Sequence, residues 1–345
     1  MRNIRNQLML CFAVFMVVVL TACGNTNLAS PAQDSPSDET KTVAASSDGN
    51  SSSATASQQG EAQVNSFKHD FGSIEVPAHP ERIAGLYLED YLAALGIKPV
   101  TQTVIGSFSL QYLQTYIGDL PKVDTSAIDF EAMLSARPDL ILLAFPNYAN
   151  DGNYDKFSSI APTYVFGPDA PDQWREALRM IGKLTGKQTE AENILNDYAD
   201  KVKDAKATLK AAIGEETVGF VRVRSNKEIR LYGGPGGYVG NVLYTDLGLN
   251  PPQITKDLAW GEDSSMAVIS LEVIPEIQAD HLFITYDEGG KELAQELLNS
   301  SVWKSLPAVK NNRVYEVSMD HWMTFGPLAY NQKVDDVLQA LVKSQ

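Results

Sequence analysis

The most regular pattern of apolar and polar positions in the chain runs from Lys187 to Ile213. Ala191, Ile194, Leu195, Tyr198, Val202, Ala205 and Leu209 recur at steps of three and four, with polar residues between them. The stretch holds no Pro and no internal Gly, and Gly186 and Gly214 punctuate its ends. This spacing predicts one helix over 187–213, roughly 40 Å long at the standard rise per residue. On both sides of it, short apolar runs alternate with short helical patterns. Before it, 80–87, 99–103, 140–145 and 163–166 read as strands, after an entry hairpin near 74–76, and 88–95, 130–134, 154–160 and 174–184 as helices. After it, 218–223, 228–232, 281–285 and 314–317 read as strands, and 239–247, 292–298 and 327–342 as helices. Such alternation predicts mainly parallel sheets covered by helices.

The chain also echoes itself across the long helix. Asp129-Phe-Glu131 and Pro138-Asp139-Leu-Ile-Leu-Leu143 precede it, and Ser270-Leu-Glu272 and Ala279-Asp280-His-Leu-Phe-Ile284 follow. Glu131 and Glu272 are as far apart along the chain as Asp139 and Asp280. Ala94-Leu-Gly96-Ile-Lys-Pro99 returns as Asp246-Leu-Gly248-Leu-Asn-Pro251. The reading is an α/β protein of two similar lobes, 66–186 and 214–345, joined by the helix 187–213.

Composition narrows the class. The 345 residues are 44% hydrophobic and 21% charged, as in a globular protein of about two domains. A net charge of −15 argues against nucleic acid or a basic membrane-binding surface as the working partner. At the N-terminus Arg2 and Arg5 precede an apolar run, Leu8 to Leu20, followed by Thr21-Ala22-Cys23-Gly24. That order describes a signal peptide over 1–22, too short an apolar run for a spanning helix. The Cys after Leu-Thr-Ala resembles the bacterial lipobox, which implies that Cys23 carries lipid and becomes the first mature residue. Cys11, the one other Cys, would leave with the signal, so no intrachain disulfide is expected. Residues 23–65 are rich in Ser, Ala, Asp, Gln and Thr and read as an unfolded tether.

Ligands of open α/β sheets bind beyond the carboxyl ends of the strands. The residues expected there are Tyr87, Tyr148, Arg222, Arg224, Tyr232, Trp260, Tyr286 and Trp322. Aromatic rings and an Arg pair suit a flat, partly apolar ligand with acceptor oxygens. A single aromatic taken alone reads as lobe packing; together, on loops after strands, packing and ligand contact are equal readings. Arg222 and Arg224 are two apart on a strand and so face the same way. Other chemistries find little support. There is no H-E-x-x-H or G-x-S-x-G sequence, and His69, His79, His281 and His321 are scattered, so no metal site is expected. Gly233-Gly-Pro-Gly-Gly237 reads as a turn rather than a phosphate loop, and His281 as a packing or capping residue.

Taken together, Cys23 with its preceding residues, the tether, Pro80-Glu-Arg-Ile83, Leu95-Gly-Ile-Lys-Pro99, Arg137-Pro-Asp-Leu-Ile141, the long helix, Ile269-Ser-Leu-Glu272 and Trp303-Lys-Ser-Leu-Pro-Ala-Val-Lys-Asn-Asn-Arg-Val-Tyr315 resemble the iron-siderophore class of ABC-transporter substrate-binding proteins. The resemblance covers about 67–345. It implies two Rossmann-like lobes bridged by one long helix, and a non-enzymatic receptor on the outer face of the cytoplasmic membrane that passes a ferric siderophore to a permease. It implies no cofactor, the iron being held by the transported ligand. Ferric hydroxamate binders resemble this chain at Tyr148, at Arg222 or Arg224, and at Trp260 and Trp322. Binders of strongly anionic siderophores carry more basic residues than this N-terminal lobe offers, a departure that favours a near-neutral hydroxamate or a mixed citrate-hydroxamate ligand. The resemblance also implies that Glu131 and Glu272, one per lobe, dock onto the permease. A receptor for haem, cobalamin or a bare metal ion, and a surface α/β enzyme, stay open as other readings.

Overall fold

The computed structural model describes residues 64–261 and 265–342. The expected signal peptide, Cys23 and the expected tether lie outside the described residues, apart from the last two positions of 23–65, where the first strand begins.

An antiparallel pair, β1 (Val64–His69) and β2 (Gly72–Pro77), enters the fold. Two three-stranded sheets follow. In one, β3 (Ile83–Leu86), β7 (Leu140–Leu143) and β8 (Thr163–Val165) run parallel in the order β3-β7-β8. In the other, β4 (Gln102–Ile105) lies between the antiparallel β5 (Phe108–Ser109) and the parallel β6 (Lys122–Asp124). The second half holds one five-stranded sheet ordered β11-β10-β9-β12-β13. Its β9 (Val218–Val223), β12 (His281–Tyr286) and β13 (Val314–Glu316) are parallel. Its β10 (Ile229–Tyr232) and β11 (Met266–Ile269) are antiparallel.

The helix between the halves runs Gln188–Ile213. It buries Ala191, Leu195, Tyr198, Ala205, Leu209 and Ile213, so the apolar stripe read from the sequence is the buried face. The closing helix Pro327–Val342 packs along it. Between them Trp174 is fully buried, edge-on to Tyr198 at 5.1 Å and to Tyr330 at 5.0 Å.

Strand alternation divides the five-stranded sheet between two cores. Val218, Phe220, Tyr232 and Phe283 join the core that runs through the long helix into the first half. Val221, Val223, Leu231, Leu282 and Ile284 face the other way, onto the helix Gly290–Asn299.

The internal echo has a structural cause. The Asp139 carboxylate, just before β7, accepts the backbone N–H of Glu81 and Arg82, at 2.8 and 2.9 Å, just before β3. The Asp280 carboxylate, just before β12, accepts the N–H and hydroxyl of Thr217, at 2.7 and 2.8 Å, just before β9. Each Asp fastens together the starts of two neighbouring parallel strands, once in each half. Gly96 and Gly248 both end helical segments with positive φ, +73° and +65°.

Several stretches depart from the sequence reading, among them the unannounced strand β11 and the helix Gln253–Leu258. Residues 105–124 hold two short strands and two short helical segments that no periodicity announces. The helix expected over 239–247 is one turn, Gly237–Gly240, continued by a π-helical turn, Asn241–Asp246. Gly240 lies so close to the carbonyls of Gly233 and Gly234 that a Cβ there would collide with them. At Glu272 the chain forms a turn followed by a single 3-10 turn, Ile274–Glu276, although its counterpart Glu131 lies in the helix Phe130–Ala136.

Candidate ligand-binding site

A pocket of about 540 Å³ opens between the two halves, within the usual range for small-molecule sites. Almost every residue lining it follows the carboxyl end of a strand. Tyr87 follows β3, and Ile105, Ser107 and Phe108 lie where β4 turns into β5. Arg222, Arg224 and Ser225 come from the end of β9, Asp287 and Glu288 follow β12, and Met319 and Met323 follow β13. Tyr238 reaches in from the Gly-rich segment.

Tyr87 holds a positive φ of 63°, strained for a residue with a side chain. Its N–H donates to the Thr103 hydroxyl at 2.8 Å, and its phenol donates across the halves to the Met323 carbonyl at 3.2 Å. Phe325 and Phe145 pack on its ring at 5.7 and 6.0 Å. Burial, reinforced by nearby Tyr238, raises its phenol well above the ordinary range, so it stays a neutral donor. Tyr238 is likewise pushed up to about 12, chiefly by burial. Lys333, itself fully buried, donates to the carbonyls of Tyr238 and Thr324 at 2.7 Å each and fixes the segment carrying Tyr238.

The two arginines line the pocket together, as their spacing requires. They are not unpaired. The Asp287 carboxylate lies between them, with Oδ1 2.6 Å from Arg222 and Oδ2 3.2 Å from Arg224 Nε. Arg222 also approaches the Tyr232 hydroxyl at 3.5 Å and the Met319 sulfur at 3.6 Å.

The other expected contacts divide. Tyr148 is buried close behind the wall, edge-on to Phe145 at 5.6 Å. Tyr232 is buried with its ring on Phe220, and reaches the site through Arg222. Tyr286 is half-buried with Lys291 above its ring at 5.8 Å, and its neighbours Asp287 and Glu288, rather than Tyr286, line the pocket. Trp260 packs on Tyr244 at 5.2 Å and is absent from the lining. Trp322 is fully buried, stacked on Phe220 at 4.9 Å and Phe283 at 5.7 Å, with its indole N–H donated to Asp336 at 2.7 Å. It is a core residue of the sheet. Following a strand does not decide which way a large ring turns, and two Phe side chains on adjacent strands draw this one inward.

Sequence reasoning missed Asp287, Glu288, Tyr238, Phe108, Met319 and Met323. Asp287 and Glu288 stand directly after the strand containing Tyr286, so the same strand-end rule that selected Tyr286 would have found them. A second hollow, about 370 Å³, lies on the outer side of the C-terminal sheet, mostly among apolar side chains such as Leu271, Leu293, Leu297 and Val302.

The Gly-rich segment is a turn. The N–H of Gly237 is taken by the Asp172 carboxylate, so an acidic group already occupies the place an anion would need. His281 is buried between Glu216 and Tyr315, at 2.8 and 3.1 Å. Among the described residues no group of three or more His, Cys, Asp or Glu could hold a metal ion. Nor is any helix among them long and apolar enough to cross a membrane. Glu131 and Glu272 are both exposed on the surface. In the first half Asp129, not Glu131, caps the helix, while the Glu272 carboxylate accepts from the Ser270 hydroxyl and is held below its ordinary range.

Residues 89–320 match the model of the periplasmic binding protein family. The chain belongs to this family. Among relatives of the periplasmic binding protein, the iron(3+)-hydroxamate-binding protein YxeB of Bacillus subtilis is 28% identical over 343 residues, covering 98% of this chain and 97% of that one. The probable siderophore-binding lipoprotein YfiY of the same organism is 30% identical over 315 residues, covering 86% and 93%. Among solved structures, Staphylococcus aureus SirA complexed with staphyloferrin B superposes with a TM-score of 0.69 at 28% identity, covering 80% of this chain and 98% of that chain. The two-lobed α/β architecture is therefore that of siderophore-binding members of the family.

Proposed function

We propose that this periplasmic binding protein is a lipid-anchored receptor that holds a ferric siderophore, of the hydroxamate class, between its lobes and delivers it to an ABC importer. The observation that carries the reading is the inter-lobe pocket, with aromatic and Met side chains on its walls and an Arg pair at the strand ends. The rings and thioethers offer apolar surface to the ligand's backbone. The guanidinium groups and the Tyr238 phenol offer donors to the oxygens that surround the iron. Membership of a family of binding proteins supports a binding role rather than an enzymatic one. The names of YxeB and YfiY support the ligand class and the lipoprotein anchor on Cys23.

The test is a titration of the purified soluble domain with a panel of ferric siderophores, followed by intrinsic Trp fluorescence and calorimetry. Ferric hydroxamates should bind, and Arg222→Ala or Arg224→Ala should each weaken that binding by roughly 1–3 kcal/mol, the scale of a lost anchor contact. Normal binding by the double Arg variant would move the site elsewhere. Binding of haem or cobalamin in place of every ferric siderophore would replace the ligand class.

Docking is tested separately. Glu131→Ala and Glu272→Ala should leave ligand affinity intact and lower cellular uptake, the double variant more than either single one, and raised salt should weaken docking. Normal uptake by the double variant, at normal surface abundance, would reject the docking role. Cys23→Ser should release the protein from the membrane fraction, and unchanged fractionation would reject the anchor.

A further inference from the structure

The charged side chains lining the pocket are Arg222, Arg224, Asp287 and Glu288, two of each sign. In many anion sites an Arg pair stands open to the ligand. Here the space between the guanidinium groups is already filled by a carboxylate. The Asp287 side chain is only 12% exposed, against 16% for Arg222 and 34% for Arg224. Its backbone N–H donates to the Val223 carbonyl at 3.0 Å, which fixes it across from the end of β9, between the two strand ends. Its two oxygens are divided between the arginines. One of the fork's two positive charges is therefore compensated before any ligand arrives. Exposed Glu288 stands beside it and adds a further negative charge at the pocket wall.

We propose that Asp287 is the charge filter of this pocket: by occupying the Arg222–Arg224 fork it admits ferric complexes of zero or positive net charge and disfavours polyanionic ones. The inference rests on the siderophore reading above and names the residue that sets its specificity. A neutral hydroxamate oxygen asks for a hydrogen-bond donor, and arginines held in place by Asp287 still present unshared N–H groups. A trianionic complex asks for uncompensated positive charge, and it would instead meet two guanidinium groups already matched by two carboxylates in a partly desolvated pocket, where Coulomb forces are weakly screened.

The experiment uses three probes of similar size on the folded protein: uncharged ferrichrome, singly positive ferrioxamine B and trianionic ferri-bacillibactin. Wild type should bind one or both of the first two and take ferri-bacillibactin at least about 100-fold more weakly. Asp287→Asn keeps the shape and removes the charge, and should narrow that gap by about tenfold or more, mainly by tighter binding of the trianion. Glu288→Gln, at an exposed position, should narrow it less. Because Asp287→Asn could disturb folding, its thermal unfolding is measured alongside. If it unfolds early, the salt dependence of wild type decides: trianion binding should strengthen as salt rises, because the repulsion is screened. An unchanged ratio in a folded Asp287→Asn, or trianion binding that weakens with salt, overturns the filter while leaving the receptor reading intact. Failure of wild type to bind any of the three complexes, or any other ferric siderophore, overturns the receptor reading itself.

Discussion

Trp322 and Arg222 share one face of the five-stranded sheet and behave in opposite ways. Trp322 satisfies its indole on Asp336 and stacks on Phe220 and Phe283, so its surface is spent within the core. Trp322→Ala should therefore lower stability by about 3–5 kcal/mol, the cost of emptying a buried aromatic site, as read from denaturant midpoints. Ligand affinity of the fraction that stays folded should change little. A variant of normal stability with weakened binding would return Trp322 to the site. Arg222, two residues beyond Phe220 and at the strand's carboxyl end, reaches past this core to the pocket. Arg222 stands at the carboxyl end of β9, whereas Trp322 ends the short helix Met319–Trp322 and turns back over the middle of the sheet.

At the scale of elements, the paired starts of parallel strands explain why the chain repeats itself. Parallel neighbours are connected through a long crossover, so nothing local fixes their register. Asp139 fixes β7 against β3 and Asp280 fixes β12 against β9. Bonds from a charged acceptor to backbone N–H are among the stronger ones. Asp139→Ala and Asp280→Ala should each cost about 1–3 kcal/mol of unfolding free energy. The two losses should add in the double variant, because the sites share no partner. Denaturant titration of the two single variants and the double variant checks this. A single variant as stable as wild type would show that its strand pair is set by packing alone.

The halves are joined by more than the long helix. Asp90, from the helix Glu89–Ala94, accepts the N–H of Leu328 and Ala329 at 2.9 Å each, and so caps the closing helix from the other half. In return Asp320 accepts the N–H of Gln111 and Tyr112, at 2.8 and 2.5 Å. Such crossed ties favour a nearly fixed cleft. They also bury carboxyl groups. Burial, opposed by bonds from Thr103, raises Glu89 to about 7, and burial, opposed chiefly by the Tyr112 hydroxyl, raises Asp90 to about 6. Both native values lie above the unfolded ones. The native state therefore keeps protons that the unfolded chain has released, and these groups favour folding most in acid, less as pH rises from about 4 to 7. Glu89→Gln removes one of them. Its stability relative to wild type should rise by roughly 2–3 kcal/mol between pH 4.5 and 7.5. Parallel unfolding curves at the two pH values check this, and a constant difference would place the Glu89 charge outside the buried network.

The sequence by itself determined the class of fold, the long helix and the strand ends where a ligand would be sought, because burial periodicity and chain punctuation are local properties. It also showed the repeated Asp, whose reason became visible only with the neighbouring strand in place. Residues 105–124 were illegible because strands of two and three residues are too short to show a period, and the turn at Glu272 because its apolar neighbours suit several conformations. Which rings enter the pocket, and which turn into the core, was decided by tertiary structure alone. Trp322 had two aromatic neighbours from other strands waiting for it, and the Arg pair had Asp287. Charge pairing across strands depends on distance in space, and separation along the chain does not encode it.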